Sequence, residues 1–542
     1  MKDARRVGHL RRRVPSLVLT ASFALTAFLA TAPHPWQLAF VSRAHAYDAA
    51  TTHAGLTQQA VIASHLHQVL TKRLGRSLGL FDVLHFEESA VAADRRSLWR
   101  ARFGWLSADG GYRPDAGQRQ PALGWILAGA VLSHVPATRA RLHFWDPSTG
   151  RGLAQEGGAA AWSDSVGALF DEASPRGLVT GTAARREQPP AWAWLNAPEN
   201  DEGLPSFMQG MADAVTLPSA EARETALVQG LLALGGILAV LEDLGEPAHV
   251  RNDLDKAFLA EPTGVGHATP FNRGSLYERW VADHLGQSGV PAASAPVSRP
   301  TFESYFVGAD GEGLANRTQR RFFSVGTVPE DQAATSVSTP RGLADAAQAS
   351  LTYALPRVGK LSFGGAGPRY VVEKEGDRVC RKLGYELGRG RLHFFLDDDV
   401  YADTAGVLLP EIGAYGAGLI DFLFRAEVAL TLEGNTVTAA VKGTVGSLSD
   451  ASLTLVAEDA QGKRAVIGTI ANADAASASV PAGTRRVFAV IRGQDQRGPL
   501  TGLGQLSLSG PEPKTGLDPK AAMDPKAPLD PKARPEAKAG PS

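Results

Sequence analysis

Leu241-Glu242-Asp243-Leu244-Gly245-Glu246-Pro247-Ala248-His249 is the stretch on which the reading of this chain turns. It closes an apolar run from Ala222 to Leu244 that predicts a buried helix. Pro247 forces the stop, because its ring lacks an N–H and clashes with the preceding turn. Asp243 then stands at the end of an apolar helix. A lone carboxylate is costly there unless it is paired or bound to a cation. His249 follows six residues later, beyond the turn. A carboxylate and an imidazole delivered this way are two of the donors that a metal ion takes.

On either side of this stretch the pattern stays helical. Leu56 to Leu74 predicts an amphipathic helix, with Leu56, Ala60, Val61, Leu66, Val69 and Leu70 near one face. Ser275 to Leu285 predicts a helix that carries Glu278, and Val400 to Phe424 a long one interrupted softly by Pro410 and Gly413. From Arg425 onward the period changes. Residues 427–432 and 437–441 alternate about a Gly434-Asn435 turn, and 452–457, 464–469 and 486–491 continue the series. Short strands at this spacing predict a small Ig-like β-sandwich. The last residues repeat Asp-Pro-Lys at 518, 524 and 530, a composition that cannot bury a core.

The first 46 residues read as an export signal: a basic start, an apolar run from Leu17 to Ala32, and a small-x-small cut site at Ala44-His45-Ala46. Cleavage would make Tyr47 the first residue of a secreted or periplasmic protein. The leader takes seven of the 55 Lys and Arg and one of the 56 Asp and Glu, which leaves the mature chain at a net charge of −7. That balance does not suit a surface that coats nucleic acid. No segment after the leader reads as long and apolar enough to span a membrane. Cys380 is the only cysteine, so an exported chain has no internal disulfide and stability falls to its cores and to metals. The organisation expected is a signal peptide over 1–46, a helical domain over 47–425, a β-domain over 426–510 and a Pro/Lys-rich tail over 511–542.

The motifs resemble, in their order along the chain, those of the zinc-dependent phospholipase C and S1/P1 nuclease superfamily. They are Thr52-His53-Ala54-Gly55-Leu56-Thr57 just after the cut, Leu142-His143-Phe144-Trp145-Asp146-Pro147, the Asp243-x-x-x-Pro247-x-His249 stretch and the Tyr277-Glu278 helix. Arg321-Phe322-Phe323-Ser324 and Ala414-Tyr415-Gly416-Ala417-Gly418-Leu419-Ile420-Asp421 resemble segments of its bacterial phospholipase-like members. The resemblance implies an all-α metal-cleft domain over 47–425, followed by the sandwich. It implies up to three zinc ions, held in part by the amine and carbonyl of the mature first residue. One ion would take Tyr47, His53 and Asp243, a second His143 and Asp243, and a third His249 and Glu278.

The chain departs from that family in three places. Ala239 and Gly274 stand where the family has His four residues before Asp243 and before Glu278, and His134 stands nearest to where it has an acidic ligand that also serves as base. His134, Asp253 and His267 are the substitutes at hand. Zinc takes about four ligands, with one position open to water in a catalytic site. The activity implied is hydrolysis of phospholipid headgroup esters by a metal-bound hydroxide, with peripheral contact to a membrane. The alternatives are an S1/P1-type nuclease and a degenerate, non-catalytic member that binds lipid or a surface. From residue types alone, His65 and His67 belong to a solvated helix face, and Asp146 shapes a turn with Pro147.

Overall fold

The computed structural model describes residues 49–108, 119–134, 137–153, 189–253, 274–285, 289–329, 332–333, 369–388 and 391–508. The expected export signal, Tyr47, His267 and the tail lie outside them.

The main helices are α1 (Ala54–Ala63), α2 (Arg96–Ala108), α3 (Ala122–Leu132), α4 (Leu204–Thr216), α5 (Ala220–Asp243), α6 (Leu276–Leu285), α7 (Leu314–Arg321) and α8 (Asp398–Leu423). Helix α5 runs through the centre of the core. Ser219 caps its start by accepting from the Ala222 N–H at 3.2 Å. Its glycines let neighbouring backbones touch it. A Cβ on Gly129 of α3 would sit 2.0 Å from the Leu232 carbonyl oxygen, and one on Gly235 would sit 2.0 Å from that of Ile126. This contact brings the ends of α3 and α5 together, and so brings His134 to Asp243.

Two expectations need correction here. Helices α5 and α8 are in fact long and apolar enough to cross a membrane. Most of each apolar window is buried inside the protein, so both are core helices. The helix expected over 56–74 is broken. Helix α1 ends at Ala63, where Ser64 turns extended (ψ 173°), and a short helix with a wider π turn resumes at Leu66. Asp421 accounts for the break by accepting from the His65 N–H at 2.7 Å and meeting its ring Nδ1 at 2.8 Å. Pro410 does not break α8. Its missing N–H would have served the Gly406 carbonyl, and the Arg378 guanidinium donates to that oxygen instead at 2.8 Å.

The region expected to be all-α also holds strands. β1 (Val83–His85) pairs with β2 (Arg119–Pro121). A four-stranded antiparallel sheet has the order β3-β6-β5-β4, from β3 (Gln332–Ala333), β4 (Arg369–Glu375), β5 (Arg378–Gly388) and β6 (Arg391–Phe395). It packs on α8, and Arg321 on α7 reaches it through Glu375 at 2.7 Å. The architecture is therefore mixed, and the all-α expectation fails.

The Ig-like sandwich fails as well. A sandwich needs two sheets, and β7 (Glu427–Glu433), β8 (Thr436–Lys442), β9 (Ser449–Glu458), β10 (Arg464–Ala471), β11 (Ala475–Ser479), β12 (Arg486–Asp495) and β13 (Gly498–Ser507) form one. Its order is β10-β9-β12-β13-β7-β8-β11, with a parallel join between Leu503 of β13 and Glu427 of β7. The sheet curls until its edges approach, with the Cβ position of Gly468 on β10 3.5 Å from that of Ala478 on β11. This is a near-barrel. Leu453, Leu455, Val487, Ala489 and Ile491 fill its interior. Alternate residues Val456, Phe488, Val490 and Leu503 face out and join the helical core. Arg425 fixes the junction by donating to the carbonyls of Phe422 and Pro499 and pairing with Asp495 at 2.6 Å.

Candidate metal centre

Asp243 ends α5 and is fully buried, as are His53, His143, His249 and Glu278, while His134 is 1 % exposed. Each arrives on its own element. His53 closes the Ala49–His53 turn that leads into α1, and His134 lies two residues past α3. His143 ends a 3₁₀ segment, Ala137–His143, and His249 opens another, His249–Arg251. Glu278 lies in the first turn of α6.

The two oxygens of Asp243 divide these partners. Oδ1 lies 3.2 Å from His53 Nε2 and 4.0 Å from His249 Nε2. Oδ2 lies 2.9 Å from His134 Nε2 and 2.5 Å from His143 Nδ1. His249 Nε2 is also 3.4 Å from Glu278 Oε1. One ligand atom each from His53, His134 and Asp243 lies within 4.8 Å of the others, and so do ligand atoms of Asp243, His249 and Glu278. The described residues thus include two buried groups able to hold a metal ion, joined through one carboxylate.

The protonation of His134 shows why these donors suit a cation. Its Nδ1 lies 3.0 Å from the Ala130 carbonyl oxygen, which can only accept and so favours the ring proton there, and 3.0 Å from the Ser133 hydroxyl, which can serve either role. Burial, foremost, and the charge of His53 lower the His134 pKa and keep the ring neutral. Nε2 therefore aims a lone pair at Asp243 Oδ2. Asp243 is ionised despite burial, because the positive charges of His249 and His53 hold its pKa well below the usual carboxylate range. With the ring proton on Nδ1, two acceptors face each other 2.9 Å apart, and a cation between them satisfies both. A ligating histidine whose other nitrogen is fixed by a backbone carbonyl is a recurrent feature of metal sites.

His53 is oriented in the same manner. Its Nδ1 meets Glu242 Oε2 at 2.6 Å, and Thr57, one turn along α1, donates to Glu242 Oε1 at 2.7 Å. Burial pulls the His53 pKa down, but Asp243 and Glu242 outweigh it and raise it to about 10. His249 behaves alike: burial opposes Asp243 and Glu278, which raise it to about 9. Its ring stacks on Phe144 at 4.2 Å, and its backbone N–H donates to Glu246 Oε2 at 2.8 Å. Glu246 in turn accepts from Ser275 Oγ at 2.7 Å, and the Ser275 N–H donates to Glu278 Oε2 at 2.5 Å. Burial, and then Glu278, push the Glu246 pKa well above its ordinary value.

His143 lies at Asp243 but in neither group. Burial, only partly offset by Asp243, lowers its pKa to about 4, so a neutral ring donates Nδ1–H to Oδ2. Its Nε2 is buried without a hydrogen-bond partner among the described residues. Asp253 turns elsewhere and accepts from the Gly326 N–H at 2.7 Å. Ala239 is buried one turn before Asp243. Gly274 precedes α6 in the left-handed region (φ 63°), so no side chain there would share a helix face with Glu278. Asp146 accepts from the Ser148 N–H at 2.8 Å, forming a turn, and Gln319 of α7 ties it to the Val250 carbonyl beside His249. His65 is exposed and paired with Asp421.

Glu242 and Glu246 are the residues that the sequence reading passed over. The signal lay in the opening stretch itself, which carries three carboxylates around a buried turn. No protein-family model matches this sequence, and no curated protein matches it either.

Proposed function

We propose that the protein is an exported zinc-dependent phosphoesterase, acting first on phospholipid headgroup esters, in which Asp243 joins two metal positions. What carries this reading is the lone pair of His134 aimed at ionised Asp243, beside a second three-donor group that shares the same carboxylate. Imidazole with carboxylate is a donor set that zinc accepts. Bound ions would supply Lewis acidity to phosphate oxygens and to water. The chain's own groups do the rest. Glu242 and the Ala130 carbonyl fix the two imidazoles, Glu246 and Ser275 set the His249 turn against α6, and Phe144 holds the His249 ring. The order of the sequence motifs supports the choice of phosphoester chemistry.

A second reading rests on burial. Every side chain of both groups is at most 1 % exposed. Closed zinc sites are structural, whereas catalytic ones keep an open position. With Ala239 and Gly274 in place of histidines, this favours a non-catalytic protein whose metals hold the scaffold for lipid or surface binding. Metal analysis of the purified mature protein, with hydrolysis of a chromogenic phosphodiester and of phosphatidylcholine vesicles, decides between them. Phosphoesterase activity that a chelator removes and zinc restores is expected. Stoichiometric metal without activity selects the scaffold reading, and less than one metal per chain removes both.

A further inference from the structure

A second cluster of charge, independent of the metal reading, sits where the helices meet the near-barrel. A cavity of about 160 Å³ is lined by Arg76, Arg223, Glu224, Glu458, Arg464 and Arg486. A single water needs only roughly 10–15 Å³. Arg223 and Arg464 are buried, at 7 % and 8 % exposure, and depend on one buried carboxylate. Glu458 Oε2 accepts from Arg464 Nε at 2.8 Å and lies 3.8 Å from Arg223, while Oε1 accepts from Arg486 Nε at 2.8 Å. Glu224 is engaged elsewhere, accepting from the His85 N–H at 2.7 Å. Arg76 forms no ion pair among the described residues, although its charge bears on Arg223.

Four guanidinium groups thus face two carboxylates around an open space, with Glu221 of the first turn of α5 nearby. Burial, foremost, and repulsion from Arg223 lower the Arg464 pKa to about 10, as expected of cations short of counter-charge. Arg223 and Arg464 spend other N–H groups on backbone carbonyls. Arg223 donates to Pro218 and Gly462, and Arg464 to Ala214 and Val215. They clamp helix to sheet while their charge stays in the pocket. Arg486 has a side chain 35 % exposed and provides the route to solvent. The cavity also lies at the N-terminus of a 24-residue helix, whose first N–H groups carry partial positive charge.

We propose that this seam pocket binds a tetrahedral oxyanion of the phosphate class, gripped by Arg76 and Arg486 above the Glu458 clamp, and that the bound anion pins the near-barrel to the helices. Arginine forks suit such oxygens, and the anion would supply the missing counter-charge. The test is calorimetric titration of the mature protein with inorganic phosphate and with glycerol phosphate, alongside thermal unfolding in phosphate against chloride at matched ionic strength. Saturable binding and a rise in unfolding temperature of about 3 °C at saturating phosphate are expected. Arg76→Ser and Arg486→Gln, which leave the carbonyl clamps intact, should each weaken binding at least about tenfold. Lys72→Ser, an exposed charge outside the pocket, should leave it unchanged. Tighter binding of glycerol phosphate would mark an esterified ligand, and tighter binding of inorganic phosphate a free one. No saturable effect beyond chloride, or binding that survives both arginine substitutions, overturns the proposal; the second result would place the anion elsewhere, including at the metal centre.

Discussion

Replacing Asp243 with Asn should empty both metal positions at once, whereas Glu278→Gln or His134→Ala should empty only one. Four tetrahedral ligands about 2.1 Å from a zinc ion stand about 3.4 Å from one another. In the first group His53 lies 3.2 Å from Asp243 Oδ1 and His134 2.9 Å from Oδ2. In the second group His249 lies 4.0 Å from Asp243 Oδ1 and 3.4 Å from Glu278 Oε1. An ion at either place needs only small side-chain shifts, and each needs an oxygen of Asp243. Asn keeps the shape but loses the charge. Breaking a buried ion pair costs about 3–5 kcal/mol, and the lower end applies because His53 and His249 can shed their protons once Asp243 is gone. Elemental analysis after dialysis against a weak chelator, with circular dichroism to confirm folding, should give metal contents falling from two to zero for Asp243→Asn. Either of the other variants should retain one. If Asp243→Asn retains an ion, or Glu278→Gln loses both, the shared-carboxylate arrangement is wrong. The two single-site variants keep the test decisive even if Asp243→Asn unfolds.

Three further outcomes follow from the same geometry. The pKa values of His53, about 10, and His249, about 9, lie above that of an unfolded histidine, near 6.5, so their contribution to metal-free stability is complete below about pH 6.5. It is lost as pH rises through 9 to 10, and thermal unfolding of the chelated protein across pH 6 to 10 should show that decline. Both protons must leave when a metal binds. Calorimetry in buffers of different ionisation enthalpy near pH 7.5 should therefore find about two protons released, and affinity should fall with falling pH. Gly129→Ala places a methyl 2.0 Å from the Leu232 carbonyl oxygen and must part α3 from α5. A loss of about 1–3 kcal/mol in chemical denaturation, with reduced metal content as His134 moves off Asp243, is expected. An unchanged midpoint would show that the helices have slack.

Local signals in the sequence translated well, and long-range ones did not. The apolar run into Asp243 and the Pro247 stop specify α5 and its turn, because hydrophobicity and a missing N–H act within a few residues. One local feature does not show: the hairpin about Gly376-Asp377, with Gly376 at φ 60°, behind which Cys380, Leu383 and Tyr385 of β5 are buried. It was hidden by a charged stretch, Glu373 to Lys382, that does not look like a core strand. The β-region announces its strands by alternation, except for Ala- and Ser-rich β11 and Gly-rich β13. Whether strands form one sheet or two depends on the join of Leu503 to Glu427, far apart in sequence, and no alternation records that. At the metal centre, spacing brought forward Asp243 and His249, and the family resemblance added His53 and His143 and placed His134 in reserve. Glu242 stayed hidden because its partners, His53 and Thr57, lie 189 and 185 residues away.

The outward-facing residues of β12 restrict how this chain can evolve. Phe488 and Val490 belong to the helical core, while Val487, Ala489 and Ile491 between and beside them belong to the interior of the near-barrel. One strand thus serves two hydrophobic cores. Gene rearrangements that cut near residue 425 would strip apolar surface from both products, so the two halves have to be inherited together. Substitutions in β12 are answerable to both, and a change that improves the fit on one face must be tolerated one residue away on the other, a rise of only about 3.3 Å along the strand. The near-barrel is thus a partner the helices cannot exchange, unlike an appended module that could be traded among unrelated proteins.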